Sequence, residues 1–247
     1  MVKLVGILNV TPDSFSDGGL FNAPQAALEQ AEQLFSDGAD LVDVGAESTR
    51  PGAVPLSHEQ EWQRLEPILP VLMERFSGKL SLDTYHPETA RRALELGQLI
   101  INDVTGMTNP AMIGVVSEFR ADCIVSYLPT NEVQAAHSGE LVHDVQVVVN
   151  DLLARASILL AEGLERDQII LDPGIGFGKT SELNRQLLEF ARYVPDFQVM
   201  IGYSRKRFLG EDRMDLAPNL AAGRIAIAAG AAYLRVHDVA GHRQLLY

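Results

Sequence analysis

The chain has 247 residues, with 20 lysines and arginines against 33 aspartates and glutamates, so its formal charge is −13. This balance excludes a protein whose whole surface binds nucleic acid, because phosphate neutralisation requires clustered basic side chains. Apolar residues make up 47% of the chain, which is typical of a globular protein with one large core. We expect one domain over residues 1–247, since single α/β barrels commonly contain about 250 residues.

The amino-terminal segment and the cysteine content indicate a compartment. The first nine residues form an apolar run that is too short to span a bilayer, so the sequence predicts neither a signal peptide nor a membrane helix. Cys123 is the one cysteine and lies in an apolar run, as expected for a small buried side chain in a reducing environment. We expect a cytoplasmic protein that binds neither nucleic acid nor membrane.

Eight short apolar segments recur along the chain, with amphipathic segments of helical length between them. The short segments lack alternation of apolar and polar residues, as expected for strands buried on both faces of a parallel sheet. The predicted strands are residues 3–8, 40–44, 79–82, 99–101, 123–127, 168–171, 198–202 and 233–236. The predicted helices are residues 24–37, 58–76, 87–96, 109–119, 143–162, 181–193 and 216–229.

This repeated order of strand and helix predicts a (β/α)8 TIM barrel. Right-handed crossovers place each helix outside the sheet, and closure removes both sheet edges. A doubly wound open sheet is the alternative architecture. Only nine residues follow Asp238, so the last helix is expected to be short or missing.

Polar residues follow nearly every predicted strand. They are Asn9, Asp43, Asp83, Asn102, Asp103, Tyr127, Asp172, Ser204, His237 and Asp238. Helix capping explains some of them, but a barrel brings all strand ends to one rim, so several are expected to share a cavity. The segments 9–23 and 45–57 are long for connections in such a fold and are interpreted as mobile lids or as surface loops.

Basic residues cluster after the last two predicted strands. Residues 205–207 are three consecutive cations, and alternation places Arg235 and His237 on the same side of the eighth strand. Barrels often bind phosphate in this region, so we expect an anionic ligand such as a phosphate ester or diphosphate. A solvated charge run is the alternative.

Residues 172–180 contain three glycines followed by Lys179 and Thr180, but they do not fit a phosphate-binding motif. A Walker loop needs glycine where Pro173 stands, and the dinucleotide motif needs glycine where Lys179 stands. The sequence therefore predicts a loop whose backbone approaches a ligand closely, with Asp172 before it and Phe177 offering an aromatic face.

Together these segments resemble the dihydropteroate synthase family. The resemblance lies in residues 6–19, 47–52, 83–84, 101–104, 172–179, 204–206 and 235–238, in the family's order. It implies an eight-stranded α/β barrel and a transferase that joins 4-aminobenzoate to 6-hydroxymethyl-7,8-dihydropterin diphosphate. The products would be diphosphate and 7,8-dihydropteroate, for folate biosynthesis. It further implies a homodimer and a Mg²⁺ ion.

The resemblance also implies roles for individual residues. Those expected to contact the pterin are Asp83, Asn102, Asp172, Lys206 and Phe177. Those expected to hold the diphosphate are Asn9, Arg235 and His237, with Asn9 also a ligand of Mg²⁺. Those expected to bind aminobenzoate are Phe15, Thr49 and Pro51, and the expected catalytic residues are Asp17, Arg50 and Lys206.

The chain departs from the family pattern at the end of the fifth predicted strand. Ser126 replaces a methionine that the family packs against the pterin, and Tyr127 stands where histidine is usual. Loss of this apolar contact is expected to weaken pterin binding by about 1–2 kcal/mol. A pterin-binding homologue without the activity is therefore an alternative. A methyltetrahydrofolate methyltransferase domain is less favoured, because of residues 48–51 and 204–206.

Overall fold

The computed structural model describes residues 1–11, 23–48, 52–130, 133, 135–137 and 141–246. Eight parallel strands form a closed barrel in chain order, in which the last strand pairs with the first. They are β1 (Lys3–Asn9), β2 (Leu41–Gly45), β3 (Leu80–Asp83), β4 (Ile100–Asp103), β5 (Cys123–Ser126), β6 (Ile169–Asp172), β7 (Gln198–Ile201) and β8 (Tyr233–Val236). The predicted TIM barrel is confirmed, and the open sheet is wrong.

Helices lie between the strands and after β8. They are α1 (Ala23–Ser36), α2 (His58–Leu65), α3 (Leu69–Arg75), α4 (Pro87–Leu96), α5 (Pro110–Phe119), α6 (Val145–Ala161), α7 (Ser181–Gln186), α8 (Leu216–Ala228) and α9 (Val239–His242). The last of them is one turn long and is followed by a 3-10 turn, Arg243–Leu246. It is the short last helix that the sequence predicts.

Two predicted helices are interrupted. The segment 58–76 is divided into α2 and α3 around Pro67, because proline has no backbone N–H to donate within a helix. The segment 181–193 continues after α7 as a 3-10 helix, Leu187–Tyr193, in which Glu189 has non-helical dihedral angles. Both interruptions lie outside the barrel and leave the strand order unchanged.

Apolar side chains fill two separate spaces. The larger core lies between the strands and the surrounding helices. A second cluster consists of Val5, Leu41, Ile124, Ile170, Met200 and Tyr233. All six belong to strands and none to a helix, so this cluster fills the interior of the barrel below the carboxyl ends of the strands.

Two further expectations concern burial. Cys123 is fully buried in β5, and burial raises the pKa of its thiol, as expected for an inert core residue. Among the described residues, no helix is both long enough and apolar enough to cross a lipid bilayer.

Candidate active site

Two residues beyond the apolar cluster, the inward-facing side chains of the same strands become polar. Side chains alternate between the faces of a strand, so the residue two positions after an interior residue also points inward. The pairs are Leu41 and Asp43, Ile100 and Asn102, Ile124 and Ser126, Ile170 and Asp172, and Tyr233 and Arg235. A polar layer therefore covers the apolar cluster at the carboxyl ends of the strands.

Asp43 is the central acceptor of this layer. Its Oδ2 accepts hydrogen bonds from Arg235 Nε at 2.6 Å and from Asn102 Nδ2 at 3.0 Å. Its Oδ1 accepts from Ser81 Oγ at 2.6 Å. The carboxylate is fully buried, and these bonds join four different strands. Such a network orients its donors, because a donor that moved would leave an oxygen of a buried carboxylate without one of its hydrogen bonds.

Asp83 lies beside this network and borders the cavity. Its Oδ2 accepts from Arg235 Nη2 at 3.0 Å, and its side chain is 21% exposed. Burial and the charge of Asp43 raise the pKa of Asp83 to about 7, against the opposing effect of Arg235. Near neutral pH this carboxyl group can thus accept a hydrogen bond or, when protonated, donate one.

Asp172 closes β6 next to the glycine-rich segment. Its Oδ1 accepts from the backbone N–H of Gly174 at 2.7 Å. Burial raises its pKa, opposed chiefly by the positive charge of Lys206. The residue on the inward face after β7 is Gly202, and a Cβ there would be in ordinary contact, 3.7 Å from Asp172 Oδ2 and 3.9 Å from Arg235 Cβ. The glycine therefore keeps the space between these two residues free of a side chain.

Lys206 and Phe177 meet on the same wall of the cavity. Lys206 Nζ donates a hydrogen bond to the carbonyl of Ile175 and lies 5.2 Å from the centroid of the Phe177 ring. Burial lowers the pKa of Lys206 to about 8, against the opposing charge of Asp172. The lysine is therefore still mostly cationic near pH 7 and can donate to a ligand carbonyl.

The third part of the site contains the expected anion-binding residues. His237 follows β8, and its Nδ1 lies 3.1 Å from Ser204 Oγ. A cavity of about 1260 Å³ brings together Asn9, Asp83, Lys206, Arg235 and His237. That volume exceeds the usual range of about 300–1,000 Å³ for a single small ligand, so two substrates can be accommodated.

Two of the strand-end residues that the sequence singles out accept hydrogen bonds from nearby backbone N–H groups. Asp103 Oδ1 accepts from Thr105 N at 2.8 Å and Thr105 Oγ1 at 2.6 Å, and its Oδ2 accepts from Met107 N at 2.8 Å. Asp238 is the N-cap of α9 and accepts from Gly241 N. They stabilise local turns, which is the role that carboxylates often have after a strand.

Five of the expected site residues lie outside the described part of the chain. They are Phe15, Asp17, Thr49, Arg50 and Pro51. Conversely, the sequence predicts no role for Asp43 beyond its position at a strand end. The available signal was the two-residue spacing that puts Asp43, like Arg235, on the inward face of its strand.

Comparisons with known proteins agree with this geometry. A family model described as pterin binding enzyme matches residues 5–237. A dihydropteroate synthase of Synechocystis is 38% identical, over 98% of this chain and 87% of the relative.

Solved structures show the same fold. The dihydropteroate synthase of Xanthomonas albilineans with 4-aminobenzoic acid has a TM-score of 0.87 and 36% identity, over 99% of this chain and 90% of that one. The enzyme of Burkholderia cenocepacia, complexed with 7,8-dihydropteroate, has a TM-score of 0.85 and 34% identity, over 100% and 89%. The chain therefore belongs to the dihydropteroate synthase family of pterin-binding enzymes.

Proposed function

We propose that the protein condenses 6-hydroxymethyl-7,8-dihydropterin diphosphate with 4-aminobenzoate, which yields 7,8-dihydropteroate and diphosphate. The observation that carries this proposal is the contact between Arg235 Nη2 and Asp83 Oδ2 at 3.0 Å. In this contact a cation that could bind an anionic group lies beside a carboxyl group that could bind a heterocycle. The relatives in complex with 4-aminobenzoic acid and 7,8-dihydropteroate support the same pair of substrates.

The pterin would bind in the polar layer of the barrel. A pterin edge presents an amino group and ring N–H donors beside acceptors. Asp83 and Asp172 can accept from the donors, and the amide of Asn102 can pair with either kind of group. Lys206 would donate to the pterin carbonyl, and the ring of Phe177 lies on the same wall. Buried partners of this kind select a matching heterocycle, because a mismatch leaves a polar group unsatisfied.

The diphosphate would bind between Asn9, Arg235 and His237, which all border the cavity. In the described contacts, Nε of Arg235 donates to Asp43 and one hydrogen of Nη2 donates to Asp83. A guanidinium has five N–H donors, so three are left for an anion. A fixed guanidinium suits phosphate oxygens, with which it forms paired hydrogen bonds. The two carboxyl groups thus hold the arginine in place without occupying all of its N–H donors.

A magnesium ion fits this site if the ligand supplies most of its oxygens. Among the described residues, no group of three or more His, Cys, Asp or Glu side chains is placed to hold a metal. Asn9, at the carboxyl end of β1, offers one amide oxygen. Mg²⁺ usually retains several waters and binds one or two protein oxygens together with phosphate oxygens. Asn9 and the diphosphate would hold Mg²⁺, and the bound ion would offset negative charge on the departing diphosphate.

The reaction needs orientation and charge stabilisation more than covalent help. The bond between the pterin methylene carbon and the diphosphate oxygen breaks, and the amine nitrogen of 4-aminobenzoate bonds to that carbon and loses one proton. Arg235 and His237 would stabilise the departing anion, and Asp172 and Lys206 would hold the pterin in line. Asp17 and Arg50 are proposed to stabilise the charged centre, while Phe15, Thr49 and Pro51 would hold aminobenzoate and exclude water.

A product assay tests the proposal. The purified chain is incubated with 6-hydroxymethyl-7,8-dihydropterin diphosphate, 4-aminobenzoate and Mg²⁺, and 7,8-dihydropteroate is measured by mass spectrometry. The control reactions omit 4-aminobenzoate or use Asp172→Ala. We expect product from the complete wild-type reaction only, and its absence would contradict the proposed activity.

The second candidate is a pterin-binding homologue without this activity. Ser126 favours this candidate. It pairs in register with Asp172 and faces the barrel interior, where the family has a methionine that packs against the pterin. Calorimetric titration with the pterin diphosphate separates the two functions. Binding without any product formation would support the second candidate.

We also propose a cytoplasmic homodimer. The location is supported by the single buried cysteine, which suits a reducing compartment. The dimer is supported by apolar side chains such as Ile158 on α6 and Ile225 on α8, which are 51% and 41% exposed. Light scattering coupled to size-exclusion chromatography measures the mass, and a value near 27 kDa at all concentrations would contradict the dimer.

A further inference from the structure

Lys179 is a buried lysine that the proposed reaction does not use. Only 6% of it is exposed, and its Nζ donates to the carbonyls of Gly174 at 2.7 Å and Phe177 at 3.0 Å. It also lies 3.5 Å from the carbonyl of Tyr127 and 4.6 Å from the centroid of the Tyr127 ring. In the described part of the chain, no carboxylate forms an ion pair with it. Burial and the charge of Lys206 lower the pKa of Lys179 well below its ordinary value, against the opposing charge of Asp172. In either protonation state its Nζ donates to carbonyl oxygens beside an aromatic ring.

The carbonyls around Lys179 belong to a loop with an unusual backbone. Gly174, Gly176 and Gly178 have φ angles of 63°, 91° and 54°, a region that glycine adopts at little cost. A Cβ on Gly174 would lie 2.0 Å from the Tyr127 carbonyl oxygen. Carbonyl oxygens that converge in this way repel one another unless a hydrogen-bond donor lies between them. Lys179 Nζ supplies that donor.

The same loop forms the wall on which Lys206 lies. Lys206 Nζ donates to the carbonyl of Ile175, and its ammonium faces the ring of Phe177. A Cβ on Gly176 would approach Lys206 Cδ to 2.8 Å, so the aliphatic part of the lysine lies directly against the loop backbone. A change in the path of residues 174–178 would therefore move Lys206.

We propose that Lys179 is a positioning residue for the pterin site. Its Nζ donates to the carbonyls of Tyr127, Gly174 and Phe177, and so fixes the loop that holds Lys206 over Phe177. The near match to a phosphate-binding loop in the sequence thus serves a different purpose, since this lysine binds its own backbone. The inference rests on the proposed function only through the role given to Lys206.

Lysine NMR on the unliganded protein tests this inference. The chain has four lysines, Lys3, Lys79, Lys179 and Lys206, so a protein labelled with ¹³C at the lysine ε-carbon gives a simple spectrum. The charged groups that act on Lys206 are Asp172, Arg235 and Asp83, together with Lys179 itself, whose charge opposes that of Lys206. In Lys179→Met we expect the pKa of Lys206 to rise from about 8 toward the ordinary lysine value, because the lysine becomes solvated.

Amide hydrogen exchange of residues 174–178 provides the second readout. We expect exchange at least about tenfold faster in Lys179→Met than in the wild type, because the loop opens more often. Lys79→Met is the matched control. It removes an exposed ammonium 5.9 Å from the Phe35 ring, at the opposite end of the barrel, and should change neither readout.

The two readouts together decide the inference. An unchanged Lys206 titration or an unchanged loop exchange in Lys179→Met would overturn it, because a shift of the Lys206 pKa without faster exchange would come only from removing the neighbouring charge. If Lys179→Met does not fold, Lys179→Leu, which also lacks an N–H donor, is judged by the same criteria. The NMR and exchange experiments use no substrate, so their outcome does not depend on activity. A wild-type protein that forms no 7,8-dihydropteroate in the product assay would contradict the proposed function and leave this test of Lys179 intact.

Discussion

The interior of the barrel contains two layers that share the same strands and the same face but differ in chemistry. The lower layer, with Leu41, Ile170 and Tyr233, is apolar and closely packed. The upper layer, with Asp43, Asp172 and Arg235, is charged and hydrogen-bonded. The step between them is two residues, or about 7 Å along a strand. With the proposed ligand contacts in the upper layer and the apolar packing in the lower one, substitutions two residues apart on the same strand should have different effects.

The largest expected effect lies in the lower layer. Ile170→Ala should lower the free energy of unfolding by about 2–5 kcal/mol, because it opens a cavity in the closely packed interior. Its activity per folded molecule should stay close to that of the wild type. Chemical denaturation measures the free energy of unfolding. Initial rates, measured well below the unfolding midpoint, give the activity of the folded variant. A large loss of activity in a fully folded variant would show that the layers are not separate.

In the upper layer, Asp172→Ala and Lys206→Ala should each lower kcat/KM at least about a hundredfold, or about 2.7 kcal/mol. Each substitution leaves a buried polar group of the pterin without its partner. Steady-state kinetics measure the effect, and circular dichroism shows whether the variants are folded. Near wild-type kinetics for both variants would remove these residues from the site.

A third prediction concerns coupling within the upper layer. Diphosphate with Mg²⁺ should strengthen the binding of 4-aminobenzoate, and a coupling of about 1–3 kcal/mol is typical of such linked sites. Arg235→Ala should abolish the coupling, because the anion loses its fixed guanidinium. Calorimetric titration of aminobenzoate with and without diphosphate measures it. His237→Ala tests the same effect without exposing Asp43, and equal affinities in the wild type would contradict the coupling.

Ser126→Met should convert one position of the upper layer to an apolar contact. Ser126 is buried and faces inward beside Asp172, so a longer apolar side chain can pack against the pterin. We expect pterin binding to tighten by about 1–2 kcal/mol, or roughly five- to thirtyfold. Titration with the pterin diphosphate measures the change, with Ser126→Ala as the control. Weaker binding by Ser126→Met would indicate that the space is already filled.

The last prediction is a dependence on pH. Burial and Asp43 raise the pKa of Asp83 to about 7, so the folded protein retains this proton where the unfolded chain has lost it. The stabilising effect of the neutral carboxyl group is therefore complete below the unfolded pKa and is lost as the pH rises toward 7. Pterin affinity should change in the opposite direction and increase as the carboxylate forms.

Unfolding and pterin titrations between pH 5 and 8 test both signs of this prediction. Asp83→Asn removes the titrating group, so the difference from the wild type isolates its contribution. We expect the wild type to lose stability relative to Asp83→Asn as the pH rises. An identical pH dependence in the two proteins would show that the protonation of Asp83 does not affect either property.

The strand pattern was predictable because it is local. Runs of apolar residues identify buried strands, and alternation identifies the face on which Asp172 and Arg235 lie. The contact between Asp43 and Arg235 joins positions 192 residues apart, and no local pattern encodes such a distance. Similarly, Asp103 and Asp83 cannot be told apart in the sequence, since each is an aspartate at the end of a predicted strand. Only the turn that follows β4 shows that its oxygens are used by backbone N–H groups.

Gly202 shows how the thickness of the ligand slot is determined. Where other strands present a side chain to the interior, this position presents only backbone, next to Asp172 and Arg235. Backbone cannot change rotamer, so this position can neither yield to a bulkier ring system nor close around a smaller one. New specificity would have to arise from side chains such as Ser126 and Phe177, which can be exchanged without rebuilding the sheet.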